Sequence, residues 1–478
     1  MHYLSGEDRN QVNIFNSLDD QIDRHNYVRL IDLLSEHFVL THSELFNIKG
    51  QFELGRKSYS PSMLLKIFFY GYFNGITSSR KLERECGRNI EMMWLTQKLC
   101  PDHKTISDFR RAHSDSIKES VLTFSKLLKE GKYIKGSTVS IDGTKVKANA
   151  SMSIDIKDIE LKLEDVEKQI SDYLSRIERE EDRDELEQKV AELKKEVDDL
   201  LQTKEQLRNG STDRMSTTDP DARLMKARYG KFFAYNVQMV VDSHKHMIIT
   251  SEVTNRVNDQ GLLEPMGKKV IVALGQKPKE ILADKGYFTR EQVFSLEKQQ
   301  IDCYVPQQST RQQNADKNAN IWFEYHSEED FYTCSKGKKL PFKQTKTDTK
   351  RNTTARVYKS NDCDGCEVKP VCTSSETGRS VQQYSDQLWR DEYVAKIESD
   401  RGKAKSKQRK MLSEHPFGTI KYLMGQIPLL LRGKAKVATE INLYVLGYNF
   451  KRLLNIESFE RIIQLIEGSL SNLKLVRV

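Results

Sequence analysis

A chain of 478 residues is long enough for two or three domains and a sizeable core. It is 31% charged, with 77 Lys and Arg against 69 Asp and Glu for a net charge of +8, and no apolar run approaches a membrane span. The N-terminus lacks a charged-then-apolar signal pattern and the seven cysteines are odd in number, so a cytoplasmic protein without a disulfide framework and without a membrane partner is expected.

From about Leu30 to His113 the sequence reads as short helices. Ser60-Pro61-Ser62 is a helix start, with Met63, Leu64, Ile67, Phe68 and Phe69 following at near-helical spacing. Ser78 caps another helix, with Leu82 inward and Arg80, Lys81, Arg84 and Arg88 outward. A third begins around Thr105 and ends in Arg110 and Arg111. Short helices with basic exposed faces fit a helix-turn-helix-like DNA binder; the alternative is an all-helical cap with solvated charges.

Thr138, Val139 and Ile141 then alternate like a strand, and Gly143 predicts a turn directly after it. Asp142 is thereby expected at a buried strand end, where a carboxylate is costly unless it is paired or holds a cation. Lys145 and Lys147 flank it; the alternative is a turn-capping aspartate.

From Asp155 to Leu207, apolar residues recur in steps of three and four (Ile159, Leu163, Val166, Ile170, Tyr173, Ile177), and again after a polar break at Leu186, Val190, Leu193, Val197 and Leu200. Such heptads predict a coiled-coil insertion, either a helical hairpin or one long helix pairing between two chains of a homodimer. Acidic residues crowd into this segment and leave the remainder more basic, which points to a polyanionic partner.

Ala234–Val241 and Met247–Val253 read as two further strands, forming an antiparallel meander with the strand at Val139 once the insertion is removed. A helix over about Gly261 to Leu274 follows, then a short strand ending at Asp284, and Thr289-Arg290-Glu291 opens another helix. Between Asp302 and about Tyr384 the pattern becomes polar loops and short strands holding Cys334, Cys363, Cys366 and Cys372. Helical character returns at Trp389, a basic run covers Arg401 to Lys410, Glu414 is expected at the start of a helix, and Val437 to Leu454 reads as amphipathic.

Asp142, Asp284 and Glu414 are three separated carboxylates of the kind that hold two divalent cations for in-line displacement at phosphorus, with magnesium (or manganese) suited to the oxygen ligands. On a helix, Lys421 lies two turns from Glu414, placed for a phosphate backbone; the alternative for Glu414 is a helix N-terminal residue favoured by the dipole. C-x-x-C at Cys363 and Cys366, with Cys372 and Cys334, makes a candidate zinc set, against unliganded reduced thiols. His415 is a helix N-terminal side chain or a metal neighbour. Trp389 and Tyr287 are core residues more readily than base-stacking ones. No Walker motif is present, which excludes nucleotide hydrolysis, and nothing suggests a tyrosine recombinase.

These blocks resemble the DDE transposases of bacterial insertion sequences, in particular the group numbered eleven-eighty-two, over nearly the whole chain. P-D-H-K-T-I-S-D-F-R-R resembles that group's helical DNA-binding domain; S-I-D-G-T-K, A-D-K-G-Y and E-H-P-F-G-T-I-K resemble its three catalytic blocks, the last with Glu-x6-Lys as Glu414 and Lys421. Lys407 stands where the family carries a tyrosine, and Arg409 is the arginine of this block. The resemblance implies an α/β, ribonuclease H-like mixed sheet core and metal-dependent cleavage of transposon ends with strand transfer into target DNA. The partner is double-stranded DNA, both terminal inverted repeats and target. The expected division is a helical DNA-binding domain at 1–130, core at 131–154, 211–300 and 386–478 (with C-terminal helices), the coiled-coil insertion at 155–210 and a cysteine-containing insertion at 301–385. The rival functions are a catalytically inactive repressor or scaffold derived from a transposase, and a nuclease without joining.

Overall fold

In the computed structural model, the described residues are 17–46, 58–151, 153–177, 183–209, 214–227, 230–308, 311–348, 353–423 and 429–476. Six helices come first: α1 (Tyr27–Thr41), α2 (Pro61–Phe73), α3 (Ser79–Arg88), α4 (Ile90–Leu95), α5 (His103–Ala112) and α6 (Ser114–Glu130). Local chemistry starts several of them. Asn26, Asn89 and Asp102 accept backbone N–H groups at the starts of α1, α4 and α5, and proline opens α2.

Strand β1 (Thr138–Lys147) follows, then β2 (Ser153–Asp155), α7 (Ile156–Ile177), α8 (Arg183–Asn209) and β3 (Arg214–Ser216). Next come β4 (Arg223–Ala227), β5 (Gly230–Asp242), β6 (Ile248–Thr254), α9 (Leu263–Leu274), β7 (Glu280–Leu282), α10 (Arg290–Lys298) and β8 (Asp302–Tyr304). The principal sheet runs β4-β5-β1-β7-β8, with β6 also on β5. The strands β1, β5 and β6 form the expected antiparallel meander, while β7 and β8 add in parallel. The fold is mixed α/β.

Between β1 and β4, α7 and α8 pack on each other as a hairpin, so the intramolecular alternative is the one adopted. Ile159 and Leu163 of α7 share a small core with Leu207, Val197 and Leu200 of α8. Its base is closed by the β2–β3 pair, Ser153 opposite Ser216.

A second sheet, β13-β12-β11-β10-β9, fills the region expected to hold polar loops and short strands. Its strands are β9 (Phe323–His326), β10 (Phe331–Cys334), β11 (Lys339–Asp348), β12 (Thr353–Lys359) and β13 (Ser380–Tyr384), with α11 (Arg311–Asn318) before it and α12 (Lys369–Cys372) within. The chain ends with α13 (Gln387–Glu398), α14 (Asp400–Leu423), α15 (Lys434–Leu454) and α16 (Phe459–Val476).

Helix α15 is not amphipathic as expected. It is buried nearly all round, from Val437 to Leu453, because α2, α5 and α6 cover one side and β6 another. Tyr444 meets Tyr72 edge-on at 4.8 Å and Phe450 meets Phe69 at 5.2 Å. The N-terminal helices therefore share one continuous core with the sheet and the C-terminal helices. No helix among the described residues is long and apolar enough to cross a membrane.

Candidate active site

Asp142 is not at a strand end and Gly143 makes no turn: β5 pairs with β1 along its length, from Val139 opposite Asp242 to Lys147 opposite Ala234. On its other edge, β1 is paired with β7 only through Ser140, which stands opposite Leu282. Asp142 and Asp284 each lie two residues beyond that last pair, so they are level just past the point where the parallel pairing of β1 and β7 ends, Asp142 within β1 and Asp284 after β7. In open α/β sheets, ligands are bound beyond the carboxyl ends of the parallel strands. Gly143 is small for a packing reason: a Cβ there would lie 2.9 Å from Asp259 Oδ1 and 3.0 Å from Asn236 Oδ1.

Asp142 accepts the Gly143 N–H at 2.9 Å and a hydrogen bond from Ser413, and Arg409 Nη1 stands 3.7 Å from it. Burial pushes its carboxyl above the usual range, with Asp284 adding to the effect, against the pull of Ser413 and Arg409. Asp284 caps the 3-10 turn Lys285–Tyr287 by accepting the Gly286 N–H at 2.8 Å.

A further carboxylate, Asp259 in the loop after β6, was missed in the sequence. It accepts from Asn236 Nδ2 at 2.7 Å and Gln238 Nε2 at 2.8 Å, and Gln238 accepts the Tyr287 hydroxyl. Burial raises the Tyr287 phenol well above its ordinary value, and the charges of Asp259, Asp142 and Asp284 add to this. The signal was available: Asn236 and Gln238 fall on one face of an otherwise apolar strand, and two buried amides require a buried partner.

Helix α14 lies across β1, β7 and β8. It begins at Asp400, so Glu414 is mid-helix and not at the helix start that the sequence suggested. One stripe of this helix, at four-residue spacing, faces the sheet. Arg401 and Lys405 pair with Glu280 at 2.8 and 2.6 Å, then Arg409 and Ser413 reach Asp142. With Thr138 also donating to it, these hydrogen bonds overcome the effect of burial and hold Glu280 down at about 2. Glu414 instead shares the exposed face with Lys403, Lys407 and Lys410, and has no polar partner among the described residues. The structure thus brings Asp142 and Asp284 together and leaves Glu414 turned aside. The Lys421 side chain lies outside the described residues.

Among the described residues, no three His, Cys, Asp or Glu side chains are gathered closely enough to coordinate a metal ion. The donor chemistry at this pair nonetheless fits a hard divalent cation: the donors are carboxylate oxygens, and Asp142 is half-buried, with its carboxyl raised by burial. His415 contacts Tyr448 through Nδ1 at 3.0 Å, and burial lowers its basicity. Tyr287 is fully buried and is a core residue, while Trp389 is half-buried, packed against the core and stacked on Tyr393 at 5.4 Å.

On α3, Arg80, Lys81 and Arg84 are exposed as expected, and Arg111 is exposed beside Asp108. Arg110 is a correction. It is 3% exposed, pairs with Glu440 of α15 at 3.2 Å and donates to Tyr72, because α5 packs that side of its last turn against α15. It is a structural ion pair, closed to DNA in this conformation. The cysteines Cys334, Cys363, Cys366 and Cys372 line one cavity of the second sheet.

Two family models match the chain: "Transposase DDE domain" over residues 333–454 and "Transposase domain (DUF772)" over residues 16–112. Together they support a DDE transposase family and a transposase function. No curated protein matches. A solved structure titled "Cryo-EM structure of piggyBac transposase synaptic complex with hairpin DNA" is similar at 10% identity with a TM-score of 0.35, over 95% of this chain and 82% of that one.

Proposed function

We propose that the chain is an insertion-sequence transposase of the group numbered eleven-eighty-two, cutting transposon-end DNA and joining the freed 3′ hydroxyl to target DNA. The observation that carries this reading is the level pair Asp142 and Asp284 where the parallel pairing of β1 and β7 ends, beneath α14. The strand succession β6-β5-β1-β7-β8, antiparallel then parallel, supports a ribonuclease H-like core.

Asp142 and Asp284 would hold the divalent cation, magnesium or manganese. When bound, it supplies charge stabilisation to the attacking and leaving oxygens at phosphorus. Asp259 keeps the Asn236, Gln238 and Tyr287 network in register between the two acids. Glu414, next to Ser413 on α14, would be the third carboxylate of the set, and Arg409 and Lys421 would contact the phosphate backbone. Arg80, Lys81, Arg84 and Arg111 supply phosphate contacts to the terminal repeats, and the active species is a homodimer on double-stranded DNA.

A second reading is a transposase-derived DNA-binding protein without catalysis. One observation favours it: Arg409, not Glu414, stands at Asp142. Incubating the full chain with the DNA ends that flank its own gene, with and without magnesium, separates the readings. Cutting followed by joining supports the transposase, cutting alone indicates a nuclease, and binding without cutting indicates the repressor or scaffold.

A further inference from the structure

The second sheet has little to hold it together by apolar contact. Its buried cluster is Tyr332, Leu340 and Tyr358, with partly exposed neighbours around them. Small apolar cores of this kind are commonly supplemented by a metal or a covalent staple. Four thiols converge beside that cluster from three separate segments. Cys334 ends β10, Cys363 and Cys366 lie in the loop after β12, and Cys372 ends α12. All four line one cavity of about 30 Å³, whose remaining wall includes Ile321, Phe323 and Leu340. That volume admits an ion or one or two waters.

The backbone is arranged for sulfur as an acceptor. The Lys338 N–H points at Cys334 Sγ at 3.4 Å, in a tight turn closed by Gly337 N–H on the Cys334 carbonyl. The Arg379 N–H points at Cys363 Sγ, also at 3.4 Å. Gly365, at φ +71°, allows the C-x-x-C segment to turn so that Cys366 N–H meets the Cys363 carbonyl at 3.3 Å. Arg379 also donates to the Cys372 carbonyl at 2.6 Å, tying the third segment to the other two. N–H groups directed at sulfur are outer contacts of the kind that orient metal-binding side chains. None of the cysteines is in a disulfide.

We propose that Cys334, Cys363, Cys366 and Cys372 bind one structural zinc ion that clips β10, the loop after β12 and α12 together. No three of the thiols stand at coordinating distance in this structure; binding would draw the sulfurs inward from the walls of their shared cavity, with the thiol protons passing to solvent. Four sulfur donors select zinc over the hard cation of the carboxylate site, and a set closed by four protein ligands is structural and not catalytic. The proposal does not depend on the catalytic reading.

The test is metal analysis of the full-length chain purified without chelator, with native thiol titration alongside. One zinc per chain is expected, with Cys334, Cys363, Cys366 and Cys372 protected until a strong chelator is added. Cys366→Ser and Cys363→Ser should lower zinc content and speed proteolysis within 311–385, while Cys100→Ser, at an exposed thiol outside the sheet, should leave both unchanged. Wild-type protein without zinc and with all seven thiols reactive would overturn the proposal, as would two native disulfides by mass. The wild-type measurement decides the matter even if the serine variants fail to fold.

Discussion

Replacing Arg110 by methionine removes the cation facing Glu440, a carboxylate 2% exposed in the middle of α15. Glu440 keeps the backbone N–H groups of Leu430 and Leu431, at 3.0 and 3.2 Å, but its charge is then unpaired in the core shared by α2, α5 and α15. Breaking a buried pair from one side costs about 3–5 kcal/mol, and the two retained hydrogen bonds favour the lower end. Melting should fall by on the order of 10 °C for a unit of domain size. The pH dependence has a definite sign. Burial already raises the Glu440 carboxyl above its ordinary value, and loss of Arg110 raises it further. A group whose folded pKa stands above the unfolded one favours the folded state at low pH and ceases to as pH rises through the folded pKa. The deficit of Arg110→Met relative to wild type should therefore shrink on acidification from neutrality towards the ordinary glutamate range. The double variant Arg110→Met/Glu440→Gln should recover most of the loss, since the remaining amide is neutral and still accepts both N–H groups. Thermal unfolding at several pH values, with end-DNA affinity measured beside it, checks this. An Arg110→Met protein as stable as wild type but weaker on DNA would refute the structural assignment.

Three further outcomes follow from other parts of the chain. Glu280, held at about 2 by its hydrogen bonds and ion pairs, contributes stability above the unfolded value near 4.5 and loses it as pH falls towards 2; Glu280→Gln should lack that leg of the acid-unfolding curve, and an unchanged curve would argue against pinning of α14. Substituting Arg80, Lys81 and Arg84 by glutamate should leave unfolding unchanged and flatten the dependence of log affinity on log salt by about 0.9 per phosphate contact removed; an unchanged slope would place DNA contact elsewhere. Deleting Ile156–Asn209 and joining β2 to β3 by a short turn should preserve the core, because the hairpin carries its own small cluster; loss of cooperative unfolding by circular dichroism would show that the hairpin is part of the main fold.

Much of the principal sheet was legible because its signals are local. β-branched alternation marked β1, β5 and β6, and serine, proline and glutamate marked helix starts. The hairpin α7–α8 was legible from heptads, though its intramolecular pairing was not, since the same apolar seam serves either partner. What failed were properties set by distant segments. Gly143 read as a turn because glycine usually ends a strand, whereas here it yields space to Asp259 and Asn236. Arg110 read as exposed because an arginine pair at a helix end usually is; its partner lies 330 residues away on α15. Val437 to Leu454 read as amphipathic, while the helix is covered on every side along its middle by segments distant in sequence. At the site, the motifs singled out Asp142 and Asp284, but their equal level depends on the parallel register of β1 and β7, and Asp259 entered only through two buried amides.

The central claim is that Asp142 and Asp284, joined by Glu414, act on a phosphodiester. It is tested most directly by single-turnover cleavage of the chain's own end DNA with magnesium, comparing wild type with Asp142→Asn, Asp284→Asn and Glu414→Gln while measuring DNA affinity in parallel. The account predicts that each variant folds, binds the ends within about twofold of wild type and loses at least about 10²-fold in cleavage rate. Cleavage at the wild-type rate by either aspartate variant would contradict it.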